Sequence, residues 1–345
     1  MARLTIRVMF EPRQRHVSLP PRIKGGLKMP DFPPRLENKF YLTEGGTETE
    51  ILYKWGFELP EFAMFPLLDD LEADRVVRDI YRRYFDVAEK HDTGLLIVGH
   101  DYRASPDWGT KLGYTPEGLA DMQRRTIAFL DSMRREYEGK VTDVYIAGCV
   151  GPRGDAYGTG GDISEDEAED YHSVQLTTLK STPADMAIAL TFNNIAEAVG
   201  VIRAAENIGI PIGVSLTLTP EGRLRSGPSL REAIEAIEDK TSGTAAWYGT
   251  NCSHPLEFAS ALSDEGPWRD RLRYVRPNAV KMDKIALCKL GHLEDGDPLE
   301  LGQQMGDVAL RFPQADILGG CCGTDERHLG EIADNVNNLR RVIAD

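Results

Sequence analysis

A single (β/α)8 barrel is the fold this sequence predicts, and three observations carry the prediction. Eight short apolar runs alternate with longer amphipathic stretches from Phe40 to the C-terminus. Several of those runs are continuously apolar, as expected of parallel strands buried on both faces. No G-x-G-x-x-G opens a helix after the first run, so the competing doubly wound dinucleotide fold lacks its phosphate turn. Strands alternating with helices imply parallel pairing through right-handed crossovers, and eight such units match a closed barrel.

Residues 1 to 38 stand apart from this pattern. They are basic, rich in proline (Pro12, Pro20, Pro21, Pro30, Pro33, Pro34) and without a sustained apolar period, and read as an irregular N-terminal extension. The arginines would suit a targeting peptide, but the prolines argue against an amphipathic transit helix. The barrel domain is then 39–345. Its strands are expected at Phe40–Leu42, Leu95–Val98, Val144–Ala147, Met186–Leu190, Ile212–Leu218, Ala245–Tyr248, Arg273–Val275 and Ile317–Leu318.

The helices follow from period and caps. Asp70–His91 places Leu71, Val76, Val77, Ile80, Tyr84, Val87 and Ala88 near a 3.6-residue repeat. Pro116–Tyr137 opens with proline in a first turn. Ser164 and Glu167 form a capping box ahead of a helix to Lys180, so the acidic run 164–170 reads as a solvated first turn rather than a metal site. Further helices are expected at Ala196–Asn207, Ser229–Asp239, Pro298–Arg311 and Glu326–Ile343, with a short one after Pro255.

Composition narrows the function. The net charge of -15 repels phosphate backbones, which argues against nucleic acid as the main partner. No apolar run reaches the roughly 20 residues of a membrane span. Five cysteines, an odd count with uneven spacing, do not make a disulfide framework. A reducing cytoplasm is the expected setting, where clustered cysteines are more often ligands or catalytic groups. The partners expected are small molecules, and a homo-oligomer is compatible with this reading.

Barrel strands share one C-terminal face, where loops build active sites. Two strand ends carry cysteine there: Gly249-Thr250-Asn251-Cys252-Ser253-His254-Pro255 after the sixth run, and Gly319-Gly320-Cys321-Cys322-Gly323-Thr324 after the eighth. These ends flank the seventh strand and can converge. Adjacent side chains in a strand point to opposite faces, so Cys321 and Cys322 reach one metal only beyond the strand, where the glycines allow unusual backbone angles. Three thiolates would leave a fourth zinc position open, as in catalytic rather than structural sites. Two other readings compete: inert buried thiols, and a redox-active vicinal disulfide. Cys149 and Cys288 read as structural or incidental, and His254 as a residue that supports the site rather than a base or ligand.

With these motifs in view the chain resembles the homocysteine S-methyltransferase family, from about Phe40 to the C-terminus. The supporting stretches are Thr43-Glu44-Gly45-Gly46, Tyr102-Arg103-Ala104-Ser105, Gly151-Pro152-Arg153-Gly154 and Gly222-Arg223-Leu224 before Ser226-Gly227. The resemblance implies that Cys252, Cys321 and Cys322 bind Zn2+ and that a thiol acceptor takes the open position. It implies methyl transfer from a small sulfonium or quaternary ammonium donor to that thiol, homocysteine giving methionine. Related alternatives are a demethylase acting on another small onium compound and a non-catalytic zinc or redox sensor.

The chain departs from the family where the acceptor's amino-acid end is held. Glu44 stands where the family has aspartate, Phe192-Asn193-Asn194 where it has Phe-Glu-Thr, and Asp101 where it often has threonine before an aromatic. The substrate contacts expected are therefore Glu44, Gly45, Gly46, Asp101, Tyr102, Asn193 and Asn251, with Glu44 and Asp101 on the amine. A cationic donor favours aromatic faces, and Trp55, Trp108 and Tyr157, with Tyr102, lie in loops on the expected side.

Overall fold

The computed structural model describes residues 31–157 and 163–344. Eight parallel strands close into a barrel in chain order, the eighth pairing with the first. They are β1 Tyr41–Leu42, β2 Gly94–Val98, β3 Val144–Val150, β4 Met186–Phe192, β5 Ile212–Leu216, β6 Trp247–Asn251, β7 Leu272–Arg276 and β8 Ile317–Leu318. All eight expected runs are strands.

Alternation along the strands explains why the runs are mostly apolar. In β4, Met186, Ile188 and Leu190 fill the barrel interior with Leu96, Val98, Trp247 and Tyr274. Ala187 and Ala189 face the other way, into the layer beneath the helices. Both faces are dry, so neither tolerates a polar side chain.

The helices are α1 Thr47–Tyr53, α2 Leu71–His91, α3 Pro106–Lys111, α4 Pro116–Glu136, α5 Glu165–Lys180, α6 Ile195–Ile208, α7 Leu230–Thr241, α8 Pro255–Phe258, α9 Lys284–Lys289, α10 Pro298–Arg311 and α11 Glu326–Ala344. Local chemistry starts them where expected. Asp70 accepts the amides of Glu72 and Ala73 at the head of α2, and Ser164 with Glu167 closes a reciprocal capping box on α5. The same box, Ser229 with Glu232, opens α7. The short helices α1, α3 and α9 were not expected. At six or seven residues they are too short to show a period.

The reading of residues 1–38 as an extension falls mostly outside the described residues. The part described forms no regular element, but it is tied to the barrel floor. Trp247 Nε1 donates to Phe32 O at 2.8 Å, Arg273 NH1 to Pro33 O at 2.9 Å, and Tyr41 Oη to Pro34 O at 2.7 Å. Beside them the buried Arg273 forks onto both oxygens of Asp316 at 2.7 Å. Among the described residues no helix is long and apolar enough to cross a membrane.

Candidate metal centre at the barrel mouth

At the opposite, C-terminal mouth the sulfurs of Cys252, Cys321 and Cys322 lie within 4.8 Å of one another. Strand ends place them. β6 stops at Asn251, and Cys252 turns left-handed at φ 55°, an angle that costs about 1 kcal/mol or more for a side-chain-bearing residue. Its amide donates to Arg276 O at 3.1 Å and its carbonyl accepts Asn278 Nδ2 at 3.2 Å, so the end of β7 holds the turn. β8 ends at Leu318, and the vicinal pair follows in a glycine-rich loop, as the alternation argument requires. That loop is pinned by Cys321 N to Pro277 O at 2.7 Å and Ala279 N to Cys322 O at 3.0 Å.

The first βα loop approaches from the other side. A Cβ on Gly46 would lie 2.4 Å from Cys321 O, so only glycine lets α1 begin this close to the cysteines. Gly45 contributes its carbonyl, which accepts Arg276 NH2 at 2.7 Å.

Electrostatics favour a cation among the sulfurs. Hydrogen bonds from Cys321 and Cys322, with a further one from Tyr157, hold the Cys252 thiol well below its usual range. The same contact with Cys252 pushes Cys321 up to about 12 and drives Cys322 up as well. One sulfur therefore ionises first and opposes the other two; a bound cation is what lets all three ionise together. Bonds of about 2.3 Å in a tetrahedral zinc site place sulfurs roughly 3.8 Å apart, so the cluster fits such an ion with little movement.

Asn251 ties the cluster to the barrel. Its Oδ1 accepts Thr191 N at 3.0 Å and Ser215 Oγ at 2.7 Å, and its Nδ2 donates to Thr191 Oγ1 at 3.0 Å and to Cys252 Sγ at 3.2 Å. Asn251→Ala removes the donor to a ligating sulfur. Metal affinity is expected to fall about 10- to 100-fold, checked by competition with a chromogenic chelator. Unchanged affinity would mean that the amide only fills space.

A cavity of about 380 Å³ opens over the cysteines, within the ordinary range for small-molecule sites. Glu44, Gly46, Tyr102, Asn251 and Tyr157 line it, as expected of substrate-contacting residues. Glu44 is already engaged: Oε1 meets Arg276 NH1 at 2.7 Å and Oε2 accepts Val98 N at 3.1 Å. Burial pushes its carboxyl up, and the guanidinium in contact works against that rise.

Five expected contacts lie outside the cavity lining, Gly45 among them with its carbonyl turned to Arg276. Asp101 is fully buried but lies outside the cavity lining, with Oδ1 accepting Cys149 N at 2.9 Å and Oδ2 facing Gln175 Nε2 at 3.4 Å. Burial pushes its carboxyl up to about 7, and it braces β3 rather than facing a ligand. Asn193 turns its amide to Ala156 O at 2.7 Å, also off the cavity. Trp55 is 50% exposed with its indole near Glu50, and Trp108 is covered by the Arg103 guanidinium at 4.1 Å. Neither tryptophan lines the cavity, so of the aromatic candidates only Tyr102 and Tyr157 do.

His254 caps α8 through Nδ1, which accepts Leu256 N at 3.3 Å, and burial pushes it down to about 4. That is a supporting role, as expected. Cys149 is buried inside the barrel and outside the sulfur cluster, while Cys288 lies in α9. Sequence reasoning missed Glu48, Arg276 and Lys284, all of which line the cavity. A charged residue closing the buried strand β7 was the available signal for Arg276.

Fold and site together define a (β/α)8 barrel with a three-sulfur cluster, suited to a metal ion, at its C-terminal mouth. The homocysteine S-methyltransferase family profile matches residues 41–336, and the chain belongs to that family of methyltransferases. It is 24% identical over 290 residues to methionine synthase of Mycobacterium tuberculosis, covering 80% of this chain but 22% of that protein. It is 20% identical over 312 residues to homocysteine S-methyltransferase 1 of Brassica oleracea var. italica, covering 82% and 89% of the two chains. The metallated crystal structure of the homocysteine methyltransferase MmuM from Escherichia coli superposes with a TM-score of 0.67 at 18% identity. That match covers 86% of this chain and 96% of the other. The chain thus spans about a fifth of that methionine synthase and most of the Brassica oleracea protein and of MmuM.

Proposed function

We propose that this chain is a zinc-dependent S-methyltransferase that moves a methyl group from a small sulfonium or quaternary ammonium donor to homocysteine, giving methionine. The observation that carries the reading is the convergence of three sulfurs from two distant strand ends beneath one cavity. Family membership and the likeness to homocysteine methyltransferases support it.

Zinc held by Cys252, Cys321 and Cys322 would supply a thiolate at neutral pH by lowering the pKa of the acceptor thiol. The chain's own groups do the rest. Asn251 orients Cys252 Sγ, and Gly46 brings the α1 turn against Cys321. Tyr102 and Tyr157 offer aromatic faces to a cationic donor methyl group. The acceptor sulfur attacks that carbon in line: a carbon–sulfur bond forms as the carbon–onium bond breaks, and the leaving group departs neutral. No general acid is needed, consistent with the capping role of His254.

The test is a donor panel of S-methylmethionine, S-adenosylmethionine, glycine betaine and dimethylsulfoniopropionate, each with homocysteine, with and without a chelator. Methionine should form with at least one donor, stop on chelation and resume when zinc is restored. Transfer that persists after complete metal removal would refute the zinc role, and no methylation from any donor would refute the onium reading.

A further inference from the structure

Three carboxylates line the cavity, and their surroundings differ: Asp155 is exposed and accepts Tyr157 N at 3.0 Å. Glu44 is fully engaged by Arg276 and the Val98 amide. Glu48, the second residue of α1, also lines the cavity, but among the described residues its carboxylate has no ion-pair partner. Arg276 acts on Glu48 through space while making its contacts elsewhere, to Glu44, Gly45 O and Gly320 O. Glu44 and Arg276 offset each other, so Glu48 leaves one negative charge on this wall. Glu48 is partly exposed at the cavity wall with no cation in contact among the described residues, so an arriving organic cation finds its carboxylate unopposed.

Position decides which cation. Glu48 sits on the turn that Gly46 brings against Cys321, whereas Tyr157 lines the cavity from the loop after β3. The cavity therefore has a carboxylate side by the α1 turn and an aromatic side at the loop after β3. In homocysteine three carbons separate sulfur from ammonium, so an acceptor whose sulfur is at the cluster keeps its ammonium close by. Building on the proposed function, we infer that Glu48 selects the acceptor by its α-ammonium group, making the site specific for amino thiols. The onium donor then takes the tyrosine side.

Titration calorimetry on the zinc-loaded full-length protein tests this with two thiols: homocysteine, and 4-mercaptobutyrate, which lacks only the ammonium. Wild type should prefer homocysteine. Glu48→Gln should weaken homocysteine about 10- to 100-fold and leave 4-mercaptobutyrate unchanged, the scale for losing a hydrogen bond to a charged group. Glu48→Asp should keep part of the preference, and zinc content and circular dichroism should match wild type in both variants. Unchanged homocysteine affinity, an equal loss for both thiols, or a loss confined to the donor's Michaelis constant would each overturn the assignment while leaving the proposed function standing. Binding of neither thiol by wild type would overturn both.

Discussion

Cys252→Ala is expected to bind zinc about a hundred- to a thousandfold more weakly than wild type and to lose methyl transfer. The argument is one of ligand count. Zinc binding in small structural sites is worth roughly 10–16 kcal/mol over four ligands, so one thiolate carries about 3–4 kcal/mol, or two to three powers of ten in affinity. Among the described residues only three sulfurs meet here, and Cys321 and Cys322 alone, adjacent in one loop, cannot enclose an ion. The variant should fold, because alanine meets the same left-handed angle and both backbone bonds to Arg276 and Asn278 remain. Zinc should raise the melting temperature of wild type, as any ligand that prefers the native state does, and fail to do so for the variant at the same concentration. A variant that holds one zinc with native affinity would show that Cys252 is not a ligand.

Arg276→Met should destabilise the metal-free protein by about 3–5 kcal/mol, the scale for removing one partner of a buried ion pair. Arg276 is 5% exposed and joins three elements that meet at the mouth: Glu44 and Gly45 after β1, Gly320 after β8, and its own strand β7. Methionine fills much of the volume but leaves the Glu44 carboxylate buried without its cation. Adding Glu44→Gln should therefore restore part of the loss, since the amide needs no counter-charge and can still accept from Val98. Urea denaturation of both single variants and the double variant gives the coupling directly. Additive effects would mean that Arg276 acts only through the two carbonyls.

The two variants separate what the chain reveals locally from what it does not. The eight strands were legible because each is dry on both faces, and the long helices because their caps and periods are written within a few residues. Ser164 with Glu167 needed no tertiary information. The cysteines were legible because Cys252 and the Cys321–Cys322 pair each directly follow a strand end. Which carboxylates line the cavity was not. Asp101 looked well placed just past β2, yet its side chain folds back onto the Cys149 amide. The absence of a side chain on Gly99 permits this, since a Cβ there would lie 2.2 Å from Asp101 Oδ1. Glu48 carried no signal of its place, because the helix it belongs to is too short to show a period, and it lines the cavity.

By itself the sequence determined the barrel, its order of elements and the three thiols at one mouth. These follow from periodicity and from the chemistry of strand ends, both of which are local. Only the tertiary structure decided which charges line the cavity: Arg276 pairs with Glu44, Asp101 and Asn193 turn away, both tryptophans stay outside, and Glu48 is on the wall. The physical reason is that a side chain's direction at a loop depends on what it meets there. At this mouth the partners are far apart in the chain, as Arg276 and Gly45 are at 231 residues.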